Sequence, residues 1–243
     1  IARHMFAHNE DPADLLAAMS LILSDDGIFL IENAYALDTF QNGEFDQIYH
    51  EHMFYFSALN ISALMQKFDF ELLDFFHSPV HGGSGVFICG KKGKHTPNAS
   101  VQDTLDLEKT AFQEKKIFHS FKAKIESNKI QAIKLIQDEI KQGHIVGAYG
   151  APAKAFTVFS YYELDDSSIA FCIDTTPTKI GKIFPSFNIP ILPEEALNYL
   201  EYNTVLINAW NYKEDILKKA SLIFKKGTKL IFLIPDLEIH TVK

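Results

Sequence analysis

The stretch HIVGAYGAPAKAFTVFSYYEL, residues 144–164, reads as a strand, a glycine-bearing turn and a helix. The apolar run HIVGAYG suits a short buried strand. Gly147 and Gly150 give the turn the form G-x-x-G, and the helix begins just beyond it. Such a turn presents a helix N-terminus, which favours a phosphate or a carboxylate. Lys154 lies in the first helical turn, where the helix dipole disfavours a cation. A ligand anion is therefore weighed there against plain solvation.

Reading outward from this stretch, strands and helices alternate to the end of the chain. IAFCID is a strand, PEEALNYL a helix, TVLINAW a strand, KEDILKKASLIF a helix and KLIFLIP a strand. Strands joined by crossover helices predict a mostly parallel, doubly wound sheet. Asp174 ends the strand after the helix, where a dinucleotide-binding domain carries its ribose-binding acid. The turn departs from G-x-G-x-x-G, so this fingerprint is degenerate. Asn208, Trp210 and Asn211 stand at the carboxyl end of a strand, where such sheets bind ligands, although a core tryptophan with polar neighbours reads equally well.

The first part of the chain has the same alternation. Asp11 is the expected N-cap of a helix with Pro12 at its first position. Leu15, Leu16, Met19, Ile22 and Leu23 form its apolar stripe, and IFLIENAY after the DDG break is a buried strand. ISALMQKFDFELLDFF is a helix running into a strand from about Glu71, and GVFICGKKG is a further strand. Residues 101–142 lack proline and glycine and carry Leu105, Phe112, Phe118, Phe121, Ile125, Ile133, Ile136 and Ile140 at helical spacing. One long helix is expected there, or two with a break near Ser127–Asn128.

The chain has 243 residues, 47% of them hydrophobic, and a net charge of −8. That balance argues against nucleic acid as the main partner. A single arginine, Arg3, stands among the 23 basic residues, so any phosphate must be met by lysine or backbone N–H groups. Cys89 and Cys172 fit no metal spacing and read as reduced thiols of a cytoplasmic protein. No apolar run reaches the roughly 20 residues of a membrane span, and no signal peptide is evident.

Two further stretches carry candidate chemistry. FDQIYHEHMFYFS, residues 45–57, packs Tyr49, His50, Glu51 and His52 beside Phe54, Tyr55 and Phe56. Extended, it would put His50 and His52 on one face; helical, Tyr49 and His52. Acid–base work, a metal site needing more ligands, and a surface turn of hydrogen-bonded histidines all fit this pattern. HSPVHGGSG, residues 77–85, makes a tight turn at Gly82, Gly83 and Ser84. Its N–H groups either face an anion or simply close a turn between strands.

Taken in order, EFDQIYHEHMFYFS, HGGS, GAYGAPAK, CIDTTPTKIGKIFPSFNIPI and INAWNY resemble the sugar C-methyltransferases, which act on nucleotide-linked keto-deoxysugars. The resemblance covers nearly the whole chain. The opening residues, ARHMFAHNEDPADLLAAMSLILSDDGIFLIE, also resemble the second half of a class I methyltransferase domain. Two features depart from the family: Gly85 and Val86 follow HGGS where a basic residue is common, and Lys182 replaces a usual arginine.

The resemblance implies an N-terminal zinc domain, a central S-adenosylmethionine (SAM) domain and a C-terminal Rossmann-like domain. The zinc domain and the first half of the SAM domain have no counterpart here, so the sequence is expected to be the C-terminal part of a longer family member. The expected divisions are residues 1–95 as the partial methyltransferase domain, 96–142 as a helical connector and 143–243 as the Rossmann-like domain. The fold class is α/β. The implied cofactor is SAM, and the implied partner is a nucleotide-linked sugar. By resemblance His52 is the base that forms an enolate, with Tyr49 and Glu51 catalytic beside it. The substrate-binding set is His81, Gly82, Gly83, Ser84, Tyr149, Gly150, Lys154, Asn208 and Trp210. An NAD-linked oxidoreductase built on GAYGAPAK and Asp174, and a nucleotide-sugar binding module without catalysis, are the competing readings.

Overall fold

The structure, a computed structural model, describes residues 1–113 and 115–243. It divides into two compact units, Ile1–Gln41 with His50–Phe121, and Asn42–Tyr49 with Lys122–Lys243. The elements run β1 (Ala2–Arg3), α1 (Pro12–Ile22), β2 (Ile28–Ala34), α2 (Ala36–Asn42), α3 (Ala58–Gln66), β3 (Phe70–Ser78), β4 (Ser84–Lys91), α4 (Ala99–Gln113) and α5 (Lys116–Lys141). They continue as β5 (Val146–Tyr149), α6 (Ala153–Tyr162), β6 (Cys172–Ile173), β7 (Ile191–Leu192), β8 (Thr204–Ile207), α7 (Lys213–Ile223), β9 (Lys229–Phe232) and β10 (Glu238–Thr241).

The first unit has a four-stranded sheet in the order β1-β2-β4-β3. β1 is parallel to β2, and β4 is antiparallel to both β2 and β3. The carboxyl ends of β1, β2 and β3 therefore lie along one edge. Asp11 caps α1 as expected, accepting from the N–H groups of Ala13 and Asp14, and Pro12 is the first helical residue. Leu16 is buried, and Leu15, Met19 and Leu23 pack against the same core. Ile22 is exposed, contrary to its place in the stripe. It is six residues from Leu16, about 240° around the helix, and so points away. Phe6, Ile31, Tyr35, Phe56, Ile61, Phe70 and Phe87 complete this core.

Residues 101–142 hold two helices, but the division is not at Ser127–Asn128. α4 ends at Gln113 and α5 begins at Lys116. Asn128 lies inside α5, buried, where its amide donates to the carbonyl of Leu233 at 2.6 Å. The hydrogen bond satisfies a polar side chain that would otherwise mark a break.

The second unit has a six-stranded sheet in the order β10-β9-β8-β5-β6-β7. β5 to β9 are all parallel, and only β10 is antiparallel. In chain order the parallel strands lie third, second, first, fourth, fifth, which follows the dinucleotide-binding order through its fifth strand. The strand order reverses between β5 and β8. PEEALNYL is not an α-helix: Glu194–Asn198 is a short 3₁₀ turn after Pro193. Ala196 N donates to Pro193 O at 3.0 Å and Tyr199 N to Ala196 O at 3.1 Å, the i→i−3 bonds of such a turn.

Glu139 of α5 is buried and accepts from Lys229 Nζ at 2.6 Å, Thr204 Oγ1 at 2.6 Å and His144 Nδ1 at 2.9 Å. Burial alone would raise its carboxyl, but these bonds outweigh it and hold it at about 2. The folded value lies below the unfolded one, so the stabilisation is present above about pH 4.5 and is lost as pH falls towards 2. Discounted for the partly exposed lysine, it amounts to about 1–2 kcal/mol. Urea unfolding of Glu139→Gln should show a stability deficit at pH 7 that closes by about pH 2. A deficit independent of pH would assign the loss to packing.

Candidate active site

Three distant stretches meet at the carboxyl edge of the first sheet. β1 leads into His4 and a 3₁₀ turn at Phe6–His8. His4 N donates to Glu32 O at 2.7 Å and Ala7 N to Asn33 Oδ1 at 3.4 Å, tying this turn to β2. Met53 N donates to Ala7 O at 3.0 Å, and Ala36 N donates to Phe56 O at 3.0 Å. Tyr35 N donates to Gly83 O at 3.2 Å. The segment after His52 and the HGGS turn are thereby laced to the residues that follow β1 and β2.

Residues 49–51 form a turn, neither strand nor helix, so neither face-sharing scheme holds. His50 and Glu51 are exposed, while Tyr49 and His52 are half-buried. The His52 ring lies 4.8 Å from His8 and 6.4 Å, edge-on, from Tyr55. Burial pushes the Tyr55 phenol up. Phe54 stacks on Phe56 at 5.8 Å. The sequence reading missed His8; the signal available was a histidine in the turn just beyond a strand at the ligand-bearing edge.

In the HGGS turn His81, Gly82 and Gly83 all have positive φ, at 57°, 95° and 146°. A Cβ at Gly83 would lie 2.1 Å from Asp38 Oδ2, so the turn demands glycine there. Asp38 Oδ2 pairs with His77 Nε2 at 2.5 Å. Gly83 N donates to Val80 O at 3.2 Å and Ser84 Oγ to the same carbonyl at 2.9 Å. Both groups close the turn. The His81 ring lies 4.6 Å, edge-on, from His4. Burial and His81 push the His4 imidazole down.

In the second unit the β5–α6 turn is satisfied from within. Gly150, at φ +88°, donates to Ile173 O at 2.7 Å and accepts from Asn208 Nδ2 at 2.8 Å. Tyr149 OH donates to Glu194 Oε2 at 2.5 Å. Asp174 Oδ2 accepts from Ala151 N at 2.7 Å and Oδ1 from Thr176 N at 2.7 Å. Burial would raise this carboxyl; the Thr176 and Ala151 bonds and nearby Lys179 bring it below the usual range. The acid that a dinucleotide fold offers to a ribose is occupied here by the chain's own N–H groups.

Lys154 has an anion, and it is a protein carboxylate. Its Nζ lies 3.5 Å from Asp46 Oδ2, 3.1 Å from Asn211 Oδ1 and 4.2 Å from the Trp210 ring centre. Trp210 Nε1 donates to Asp46 Oδ2 at 2.6 Å. The position expected for a ligand anion at Lys154 is therefore filled by Asp46. Burial pushes the Asp46 carboxyl up and the Lys154 ammonium down, each opposed by the other's charge.

The sequence profile of the C-methyltransferase C-terminal domain matches residues 79–235, well over half of the chain. The chain belongs to the C-methyltransferase family. A methyltransferase-domain profile matches residues 1–74. The C-methyltransferase NovU of Streptomyces niveus is 32% identical over 237 residues, which is 96% of this chain. The chain spans 56% of the length of that relative.

Within this C-methyltransferase chain, His52 and His81–Ser84 gather at the edge of the first sheet, whereas Tyr149, Gly150, Lys154, Asn208 and Trp210 belong to the second unit. The turns at the carboxyl ends of β1 and β2 are His4–His8 and the entry to α2 at Tyr35. Neither is a glycine-rich cradle for a nucleotide cofactor, so no described residue is assigned to SAM. Among the described residues no group of three or more His, Cys, Asp or Glu side chains could hold a metal ion. No helix among them is long and apolar enough to cross a membrane. Cys89 and Cys172 are buried free thiols, pushed up by burial.

Proposed function

We propose that this chain carries the acid–base half of a SAM-dependent C-methylation of a nucleotide-linked keto-deoxysugar. The observation that supports it most is the half-buried His52 ring against His8 at the carboxyl edge of the first sheet. Carbon methylation needs a nucleophilic carbon, and a proton α to a ketone is far too weakly acidic to leave unaided at pH 7. His52 takes that proton, and the electron pair of the C–H bond becomes an enolate delocalised onto the ketone oxygen. Tyr49 and Glu51 orient the sugar or relay the proton. Phe54 and Phe56 give an apolar wall that keeps water from the enolate. The His81–Ser84 turn binds the sugar nucleotide. SAM, when bound, supplies the methyl group.

The NAD-linked reading loses its main support, because both Asp174 oxygens are already hydrogen-bonded to backbone. Incubation of the protein with SAM labelled with ¹³C on its methyl group and a thymidine-diphosphate-linked keto-deoxysugar tests the proposal. The labelled methyl should show one-bond coupling to a sugar carbon. A methyl carried on oxygen, or turnover of NAD in place of SAM, would contradict it.

A further inference from the structure

Residues 42–49, immediately before the turn that carries His52, pack with the second unit, although the chain on either side of them packs with the first. Contacts of Phe45, Asp46 and Ile48 are among those that hold the segment there. The Phe45 ring stacks on Tyr162 at 5.6 Å and meets Tyr161 at 5.2 Å. The carbonyl of Ile48 accepts from Thr157 Oγ1 at 3.0 Å. Between them Asp46, fully buried, is bound by the Trp210 indole and faced by Lys154.

Phe45 and Ile48 attach the segment without burying a charge. Asp46 adds a cost: a carboxylate has been taken out of water, and its Oδ1 has no hydrogen-bond partner among the described residues. An apolar residue of similar size would be as stable or more so in such a place. What an apolar residue would lack is direction. The indole N–H fixes the rotation of the 3₁₀ turn at Phe45–Gln47, and that turn runs straight into Tyr49.

We propose that Asp46 is a positioning residue: clamped by Trp210 and Lys154, it sets the orientation of Tyr49, the last residue of the segment, for its part in the reaction. This rests on the function proposed above. A misplacement of about 1 Å at a reacting group costs about 10²-fold in rate. Asp46 touches no reacting atom, so its loss should fall on turnover and leave substrate affinity in place.

The test uses Asp46→Asn and Trp210→Phe, with exchange of the α proton of a thymidine-diphosphate-linked keto-deoxysugar into deuterated solvent as the assay. In each variant kcat per folded molecule should fall by about 10–100-fold while KM stays within about threefold. Trp210 is the only tryptophan. Its quenching by acrylamide should therefore rise in Asp46→Asn as the clamp opens. If the wild type exchanges no α proton above the uncatalysed background, the functional reading fails and the positioning role falls with it. If the wild type is active and kcat of the folded variants stays within about twofold, the positioning role alone is overturned. A loss carried by KM overturns it too, by assigning the cluster to substrate binding. Should Asp46→Asn fail to fold by circular dichroism, Trp210→Phe decides the matter on the same criteria.

Discussion

His52→Asn should lower turnover by roughly 10²–10⁴-fold, the usual worth of a general base, while substrate binding stays nearly intact. Asparagine keeps a polar side chain of similar reach and removes the proton-accepting imidazole. The half-buried ring packs 4.8 Å from His8 and 6.4 Å from Tyr55, contacts that an exposed histidine lacks. Tyr49→Phe and Glu51→Gln should each cost less, since both are assigned to orientation or relay and Glu51 is exposed. His8→Asn should fall between them, because in the proposed mechanism His8 acts through its contact with His52. Steady-state rates and calorimetric titration on the same preparations separate the two parameters. A His52→Asn enzyme with wild-type kcat would move the base to His50 or Tyr49.

The second large effect concerns stability. Glu108→Ala should destabilise the first unit by about 3–5 kcal/mol, the cost of stripping a buried charged acceptor from its donors. Glu108 is fully buried on α4. It accepts from Tyr35 OH at 2.6 Å, from Ala58 N at 2.7 Å and from Leu59 N at 2.8 Å. The last two are N–H groups of the first turn of α3, where a carboxylate also meets the positive end of the helix dipole. Burial and the Glu108 bond together push the Tyr35 phenol far up, so it stays a donor. Glu108→Gln, which keeps one acceptor oxygen, should lose about 1–2 kcal/mol. The urea midpoint should drop with unchanged slope. A midpoint within error of wild type for Glu108→Ala would mean that water reaches the three donors.

Both effects trace back to what could and could not be read from sequence. Strand–helix alternation is a local, periodic signal, and it gave the doubly wound second unit and the α1 cap at Asp11 correctly. The division between α4 and α5 carried no glycine or proline, and a buried asparagine mimicked a break elsewhere. The buried polar positions Glu108 and Glu139 carry no local signal, because a charged residue on a helix reads as part of its solvent face. Lys154 was recognised as a cation in want of an anion. Its partner Asp46 could not be named, because the Asp46–Trp210 bond joins residues 164 positions apart. His8 carries only the weak signal of a histidine after a strand, and its pairing with His52 comes from folding.

The account turns on whether His52 removes a carbon-bound proton. The most direct measurement is exchange of the substrate's α proton with deuterated solvent in the absence of any methyl donor, followed by proton NMR. Exchange isolates abstraction from transfer. The wild-type protein should wash deuterium into the carbon next to the ketone, and His52→Asn should do so slower by about 10²-fold or more. Exchange at the wild-type rate in His52→Asn, or none above the uncatalysed background in the wild type, would contradict the account.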